Sequence, residues 1–257
     1  MAFKSVRTRL AEMIEGEPPI MTNAVAYSLV GVYRRRNSEN IVALNPPAGS
    51  TYLWALDEIA PELSEMTVGV GPGNRFELVN RLLKIRAEHD DWLVVVDDDV
   101  QMTRGNLSSA VAIAELADFD LCGISHSRWS YLNWSCTLHQ YHSIARLMHY
   151  VEQGPCVILS PGAQLRLIPF PEDLGMGWGI EFLWAEHKEL RLGILDAVHL
   201  RHLNPVERSS YDVDAEWAQA SLLQSTSKFA RFSEIQQTIE TWKYGQTGPP
   251  WHIGERP

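Results

Sequence analysis

Apolar and polar residues alternate in blocks through the middle of the chain, and the blocks predict strands and helices in turn. The run Trp92–Val96 is continuously apolar, which is typical of a strand buried on both faces of a sheet. Residues 75–89 instead carry apolar side chains at helical spacing. Asn74 and Glu77 have the spacing of a capping box at the start of that helix. By the same criteria we predict strands at 40–47, 66–74, 119–125, 156–160 and 190–198, and helices at 51–63, 106–118, 210–224 and 233–245, with a loosely amphipathic segment before residue 40.

This alternation predicts an α/β fold with a mostly parallel, Rossmann-like sheet flanked by helices. In such sheets ligands bind beyond the carboxyl ends of the strands. Asn45, the loop from Gly71 through Gly73, and the acidic residues after Val96 all fall at predicted strand ends. The glycine loop leads into a helix N-terminus, which favours anions, and Arg75 adds a positive charge. Two interpretations stay open: Gly71 and Gly73 make only a tight turn, or this edge contacts a nucleotide.

The length and composition limit the size of the domain, the kinds of binding partner and the cellular compartment that we expect. A chain of 257 residues is long enough for one sizeable α/β domain. The net charge of −10 argues against a broad nucleic-acid-binding face. We find no apolar stretch of signal-peptide or membrane-spanning length. The three widely spaced cysteines do not suggest a disulfide framework, so we expect a cytoplasmic protein.

Three consecutive acids, Asp97, Asp98 and Asp99, follow the buried strand. Two carboxylates about 4 Å apart repel by roughly 4 kcal/mol at an effective dielectric constant of about 20. Water, protons or a cation must offset this repulsion. A solvated turn is one interpretation. The other is that Asp97 and Asp99 converge on a divalent cation, Mn²⁺ or Mg²⁺, with oxygen ligands.

The second half of the chain carries further candidates for chemistry. Gly177 and Trp178 belong to a glycine-rich loop that would let the backbone approach a ligand against a flat apolar wall. Glu181 follows at a predicted helix start, where it could act as a general base or serve only as a first-turn helix acid. Trp129 and Trp134 lie among polar residues and could stack on a sugar or cover the core as an edge strand.

Two histidines follow the last predicted strand of this region. His202 lies in a polar position ahead of Pro205, where it could return to Asp97 and Asp99 as a third metal ligand. His199 is the alternative ligand.

Four segments, taken in order, resemble the nucleotide-sugar glycosyltransferases of GT-A fold, and small bacterial family-two-like members in particular. They are WLVVVDDDV, VEQGPCVILSP, PFPEDLGMGWGIEFLW and RLGILDAVHLRHLNP, and the resemblance covers about residues 40 to 210. It implies that Asp97 and Asp99 form an Asp-x-Asp motif, and that His202 is a late metal ligand. It also implies that Glu181 lies in the segment that contains the catalytic base. Asn45, Asp98 and the Gly71–Arg75 loop would then face the nucleotide, and Asp97 would reach the ribose or the metal.

The implied activity is metal-dependent transfer of a hexosyl or pentosyl group from a nucleotide-diphosphate sugar, a UDP-sugar being favoured, to an acceptor hydroxyl. A saccharide or glycoconjugate is the favoured acceptor, and a modified nucleic acid base is less so. Trp129, Trp134, Gly177 and Trp178 would contact the sugar or the acceptor. Inversion is expected, although Glu181 is followed by Phe182 where many inverting members have an Asp.

Two alternatives remain open from the sequence. A haloacid-dehalogenase-type phosphatase would use Asp97 as its nucleophile, although that motif normally opens the domain and needs a downstream lysine. A non-catalytic protein that binds sugar nucleotides would keep the fold alone. We expect a single domain that consists of an N-terminal segment (1–39), a nucleotide-binding half (40–125), an acceptor and catalytic half (126–204) and C-terminal helices with a tail (205–257).

Overall fold

The computed structural model describes residues 25–86, 90–205 and 212–245, and in this part of the chain ten strands form one mixed sheet. The strands are β1 (Tyr27–Tyr33), β2 (Thr51–Ala55), β3 (Thr67–Val70), β4 (Trp92–Asp97), β5 (Val100–Arg104), β6 (Leu121–His126), β7 (Ser143–Met148), β8 (Cys156–Leu159), β9 (Leu192–His202) and β10 (Thr238–Lys243). The helices are α1 (Ser38–Ala43), α2 (Arg75–Ile85), α3 (Leu107–Leu116), α4 (Pro161–Leu167), α5 (Ile180–Glu186), α6 (Val213–Thr226) and α7 (Phe232–Ile235), with short 3₁₀ turns at Arg35–Asn37, Pro61–Leu63, Ser135–Thr137 and Glu172–Leu174.

The sheet has a parallel half and a mixed half. Its order is β10-β7-β9-β6-β8-β4-β1-β2-β3, with β5 paired to β9 outside this path. Strands β4, β1, β2 and β3 run parallel, so their carboxyl ends meet at one edge. Strand β8 lies antiparallel between β4 and β6 and joins the two halves. The predicted α/β sheet flanked by helices is confirmed.

The core lies on both faces of this sheet. Val94 and Val96 of β4 belong to one buried apolar cluster, and Leu93 and Val95 belong to a second. Successive side chains of a strand point to opposite faces, so a strand that is apolar throughout must be covered on both. This burial explains why the pattern in β4 predicted its strand correctly. No helix in the described part of the chain is long and apolar enough to cross a membrane.

Three predicted elements before residue 64 are wrong. Residues 27–33 form β1, a central strand, where we expected only an amphipathic segment. Residues 38–43 form helix α1 rather than a strand, and residues 51–55 form strand β2 rather than part of a helix. Apolar runs of five to seven residues do not reveal their period, so pairing with β4 and β3 decides which of them become strands.

Two further expectations about helices also need correction. The predicted helix at 233–245 is a single turn, α7, followed by β10, which pairs antiparallel with β7. The helical spacing of Ile235, Ile239 and Trp242 was therefore misleading. Asn74 does precede helix α2, but its side chain caps no backbone N–H. Glu77 pairs with Arg81 one turn later instead. The predicted tail at 246–257 and most of the N-terminal segment lie outside the described residues.

Candidate active site

A cavity of about 960 Å³ opens at the carboxyl ends of β1, β2 and β4. Parallel strands end together at this edge, so their following loops surround one space. Most of the residues that line it are polar or charged, and a few are apolar. They are Val32, Arg34, Arg36, Asn37, Leu56, Asp57, Pro72, Gly73, Asn74, Arg75, Asp97, Asp98, Asp99, Asn133, Glu152, Gln153, Gly154, Pro155, Met176, Trp178, His202, Asn204, Pro205 and Glu216. The cavity therefore contains the predicted acidic cluster.

Asp97 ends β4, Asp98 and Asp99 form the turn to β5, and each of the three has a different partner. Asp97 Oδ1 accepts a hydrogen bond from Arg75 Nε at 2.7 Å. Asp98 Oδ2 accepts one from the backbone N–H of Arg34 at 2.6 Å, which ties the turn to the end of β1. Burial raises the pKa of Asp98 to about 6, although the bond from Arg34 lowers it. Asp99 Oδ2 lies 3.2 Å from His202 Nε2.

The register of two strands brings Asp99 and His202 together. Val100 of β5 lies opposite His202 of β9 in an antiparallel pair, and the Leu203 N–H donates to the Asp99 carbonyl at 2.9 Å. Burial lowers the pKa of His202, but the hydrogen bond and charge of Asp99 outweigh it, so the pKa lies above the ordinary histidine value. The site at Asp99 therefore attracts positive charge.

His199 lies elsewhere. It faces Arg104 on the neighbouring strand and stacks on His139, with ring centroids 4.3 Å apart. Burial lowers its pKa to about 4. Of the two candidate histidines, only His202 lines the cavity.

The donor atoms present suit a divalent cation with two protein ligands. The described residues contain no group of three His, Cys, Asp or Glu side chains arranged as a complete metal site. Asp99 and His202 supply one carboxylate and one imidazole side by side. Cations such as Mg²⁺ are commonly held by one or two protein groups together with substrate phosphates and water. Arg75 pairs with Oδ1 of Asp97, and the role of Asp97 as a further metal ligand stays a prediction.

Arg75 connects several walls of the cavity. It begins helix α2, is 6% exposed, and its guanidinium donates to Asp97, to Gln153 Oε1 at 2.6 Å and to the Gln153 carbonyl at 3.1 Å. Burial raises the pKa of Asp97, and the charge of Arg75 acts in the opposite direction. Gly154 lies against the same carboxylate, because a Cβ there would meet Asp97 Oδ2 at 2.9 Å. These contacts hold Arg75, Asp97, Gln153 and Gly154 together on one side of the cavity, which we call the cavity floor.

Glu181 lies behind the wall of the cavity rather than on it. It lies in the first turn of helix α5, at the helix start as predicted, and is 5% exposed. Its Oε1 accepts the Gln153 N–H at 3.2 Å and its Oε2 accepts the Gly179 N–H at 3.0 Å. Burial raises its pKa to about 7, although these backbone bonds lower it. Both carboxylate oxygens of Glu181 therefore accept hydrogen bonds from backbone N–H groups.

The glycine-tryptophan loop reaches the cavity through Trp178. This ring lines the cavity and makes an edge contact with Trp217 of α6, with centroids 4.9 Å apart. Gly179 has φ 91°, and a Cβ there would lie 2.8 Å from the Cα of Ala220. Only glycine allows this turn to pack so closely against α6. Gly177 belongs to the turn but does not line the cavity.

Four residues that we expected near the ligand lie away from the cavity. Asn45 follows helix α1 rather than a strand, so it does not reach the strand edge. The carbonyl of Gly71 accepts from Trp54 Nε1 at 2.8 Å, and Gly71 does not line the cavity, although Pro72, Gly73, Asn74 and Arg75 of that loop do. Trp129 is 68% exposed, and Trp134 stacks on Phe232 with centroids 4.5 Å apart. The two tryptophans lie in no strand and do not line the cavity, although Asn133 between them does.

The cavity also contains charged residues that we did not predict from the sequence. Glu152 and Asn133 line it together, and Asn133 Nδ2 donates to Glu152 Oε1 at 2.9 Å. Glu216, which lies in helix α6, accepts a hydrogen bond from the backbone N–H of Met176. Asp57 follows β2, which we took for a helix. The one available signal was a charged residue next to an apolar run, as in YVEQGPCV, and that pattern is common in loops.

Comparison with known proteins gives a fold but no family. No family model and no curated protein match the chain. Among solved structures it is similar to GalNAc-T7 with UDP, GalNAc and Mn²⁺, at 8% identity and a TM-score of 0.51. It is also similar to S. aureus TarS 1–349 in complex with UDP-GlcNAc, at 14% identity and a TM-score of 0.51. The fold is GT-A.

The two alignments cover different shares of the proteins. They include 72% of this chain and 44% of GalNAc-T7, and 79% of this chain and 67% of TarS 1–349. Both neighbours are GT-A-type glycosyltransferases. At such low identity the GT-A likeness concerns the fold, and the activity of this chain has to be argued from its own cavity.

Proposed function

We propose that this chain is a divalent-metal-dependent glycosyltransferase that moves a hexosyl or pentosyl group from a nucleotide-diphosphate sugar to an acceptor hydroxyl. The observation that carries the proposal is the Asp99–His202 pair, 3.2 Å apart, in a large cavity at the strand edge of a GT-A fold. A UDP-sugar is the favoured donor, because the two similar structures hold UDP with GalNAc and UDP-GlcNAc.

The nucleoside would occupy the end of the cavity next to β1 and β2. Val32 and Leu56 offer apolar surface there, and Asp57 and Asn37 offer polar groups for a base or a ribose. Asp98 accepts a hydrogen bond from the Arg34 backbone N–H, which holds the end of β1 next to the turn with Asp99. The diphosphate would then reach Asp99 and His202.

The reaction separates charge, and the residues around the turn are suited to that. A divalent cation held by Asp99 and His202 would neutralise the charge that develops on the leaving diphosphate. Arg75, which also donates to Gln153, holds Asp97 in place beside it. Trp178 supplies a flat wall on which a saccharide acceptor would pack. Inversion, the role of Glu181 as base, a cytoplasmic location and the division of the chain into functional halves stay predictions.

The phosphatase alternative fits the cavity less well. Its nucleophile would be Asp97, but Arg75 holds one oxygen of that carboxylate in an ion pair. No lysine lines the cavity in the described part of the chain.

A turnover assay separates the two enzymes and the non-catalytic alternative. Purified protein with Mn²⁺ is incubated with UDP-, GDP- and ADP-sugars and an acceptor panel of simple saccharides, and with p-nitrophenyl phosphate in parallel. The proposal predicts nucleoside diphosphate release from one donor class and no phosphoester hydrolysis. Hydrolysis of p-nitrophenyl phosphate without nucleotide release would favour the phosphatase, and nucleotide-sugar binding without any turnover would favour a binding protein.

A further inference from the structure

The buried carboxyl group of Glu152 lies on the cavity wall, and the reaction proposed above gives it no role. Glu152 lines the cavity, and 9% of its side chain is exposed. Its Oε1 accepts from Asn133, but its Oε2 has no hydrogen-bond partner among the described residues. His126 Nε2 lies 3.9 Å from that oxygen, which is beyond hydrogen-bond distance. A buried carboxyl oxygen without a partner costs free energy, and such groups are concentrated at functional sites.

The surroundings of Glu152 leave its negative charge poorly stabilised. Burial raises its pKa to about 8; the bond from Asn133 and the charge of His202 lower the pKa, and the charges of Glu181 and Asp97 raise it. Burial also lowers the pKa of His126 to about 4, so that ring is neutral and does not supply an opposing charge. A carboxylate in such a place binds a proton more strongly than an ordinary glutamate does. A general base works best when its pKa lies near the working pH.

Glu181 differs from Glu152 in its position relative to the cavity and in its hydrogen-bond partners. Its two oxygens accept the backbone N–H groups of Gln153 and Gly179, and it is not among the residues that line the cavity. Gln153 follows Glu152 directly and holds Arg75. The contacts of Glu181 therefore fix the backbone next to Glu152 and leave it no oxygen directed at a substrate.

We propose that Glu152, rather than Glu181, removes the proton from the acceptor hydroxyl, and that Glu181 is a positioning residue. This inference rests on the proposed glycosyltransferase function. As the hydroxyl oxygen bonds to the anomeric carbon, its proton passes to a carboxylate oxygen of Glu152. The bond from the anomeric carbon to the diphosphate breaks, and its electron pair leaves with the diphosphate. A single base on the acceptor side suits direct displacement, and hence inversion.

The test compares a nucleophile that must lose a proton with one that need not. UDP release from UDP-GlcNAc and UDP-GalNAc is measured with Mn²⁺, first with water as the acceptor and then with azide. We expect Glu152→Gln to lower the water-supported rate by about 100-fold or more, a typical contribution of a general base. The azide-supported rate of the same variant should stay within about threefold of wild type, because azide needs no base. Glu181→Gln should lower both rates by a similar factor, because it weakens the hydrogen bonds that position the backbone of Gln153 and Gly179.

Two further variants keep the result interpretable. Glutamine can still accept from Asn133 and places no charge in the buried site, so we expect Glu152→Gln to fold; Glu152→Asp keeps a shorter carboxylate and should give an intermediate water-supported rate. Glu189→Gln removes an exposed partner of Arg166 outside the cavity and should leave both rates unchanged.

The outcomes separate this inference from the proposed function. Equal losses of both rates in Glu152→Gln, or no loss, would overturn the inference, as would a wild-type protein that binds UDP-sugar with Mn²⁺ but releases UDP to neither nucleophile. A wild-type protein that binds no nucleotide-sugar at all contradicts the proposed function itself, before any variant is compared.

Discussion

The Arg75–Asp97 ion pair provides a quantitative test of how the cavity floor is built. Arg75 is 6% exposed, and the Asp97 side chain is 30% exposed. Replacing Arg75 with Met leaves Asp97, Gln153 Oε1 and the Gln153 carbonyl without their donor. Removing one partner of a buried pair costs about 3–5 kcal/mol. Because water reaches part of Asp97, we expect the lower end, about 3 kcal/mol.

Urea denaturation at pH 7 measures this loss of stability. With a slope of about 2–3 kcal/mol per molar urea, Arg75→Met should lower the midpoint by about 1 M. Arg81→Met is the matched control on the same helix, because its pair with Glu77 is largely exposed and should contribute less than about 0.5 kcal/mol. The double variant Arg75→Met/Asp97→Asn should regain part of the loss, since no buried charge is left unpaired. The reasoning is refuted if Arg75→Met shifts the midpoint no more than Arg81→Met does.

Two other predictions concern stability. Burial raises the pKa of Glu152 to about 8, so the folded chain holds this proton more tightly than the unfolded chain, and stability falls as the pH rises through the interval up to about 8. Relative to Glu152→Gln, wild type should lose at most about 1.4 kcal/mol per pH unit between pH 5.5 and 7.5 in urea titrations, and parallel curves for the two proteins would contradict this. Gly179→Ala should destabilise the chain by about 1–3 kcal/mol, because φ is 91° and the new Cβ would lie 2.8 Å from Ala220 Cα. In thermal unfolding Gly162→Ala, where a Cβ meets only Ser160 Oγ at 3.8 Å, is the control, and equal melting temperatures for the two variants would count against the packing argument.

The sequence predicted the α/β architecture and the acidic turn because both depend on local patterns. Residues 92–96 are apolar throughout, and such a strand can only lie inside the sheet. The acids that follow it must then lie at the strand edge. His202 was identified only as one of two candidates, because its approach to Asp99 depends on the pairing of β5 with β9. That register is a long-range property that spacing along the chain does not contain.

The missed parts of the site also depend on long-range contacts. The strand β1 supplies Val32 and precedes Arg34, but its short apolar run lies beside three arginines and has no distinguishing period. Glu152 looks like any loop acid until Asn133 and His126 are placed around it. Glu181, by contrast, has the expected position at a helix start, and only its two backbone partners show that its oxygens are occupied.

Calorimetric titration of UDP and UDP-sugars into the protein tests the central claim most directly. It is done with Mn²⁺, then after EDTA, and again with the Asp99→Ala variant. The proposed function predicts binding that requires Mn²⁺ and is lost in Asp99→Ala, while the urea midpoint of that variant shows an intact fold. Equally tight binding by Asp99→Ala with Mn²⁺, or by wild type in EDTA, would contradict the metal site at Asp99 and His202.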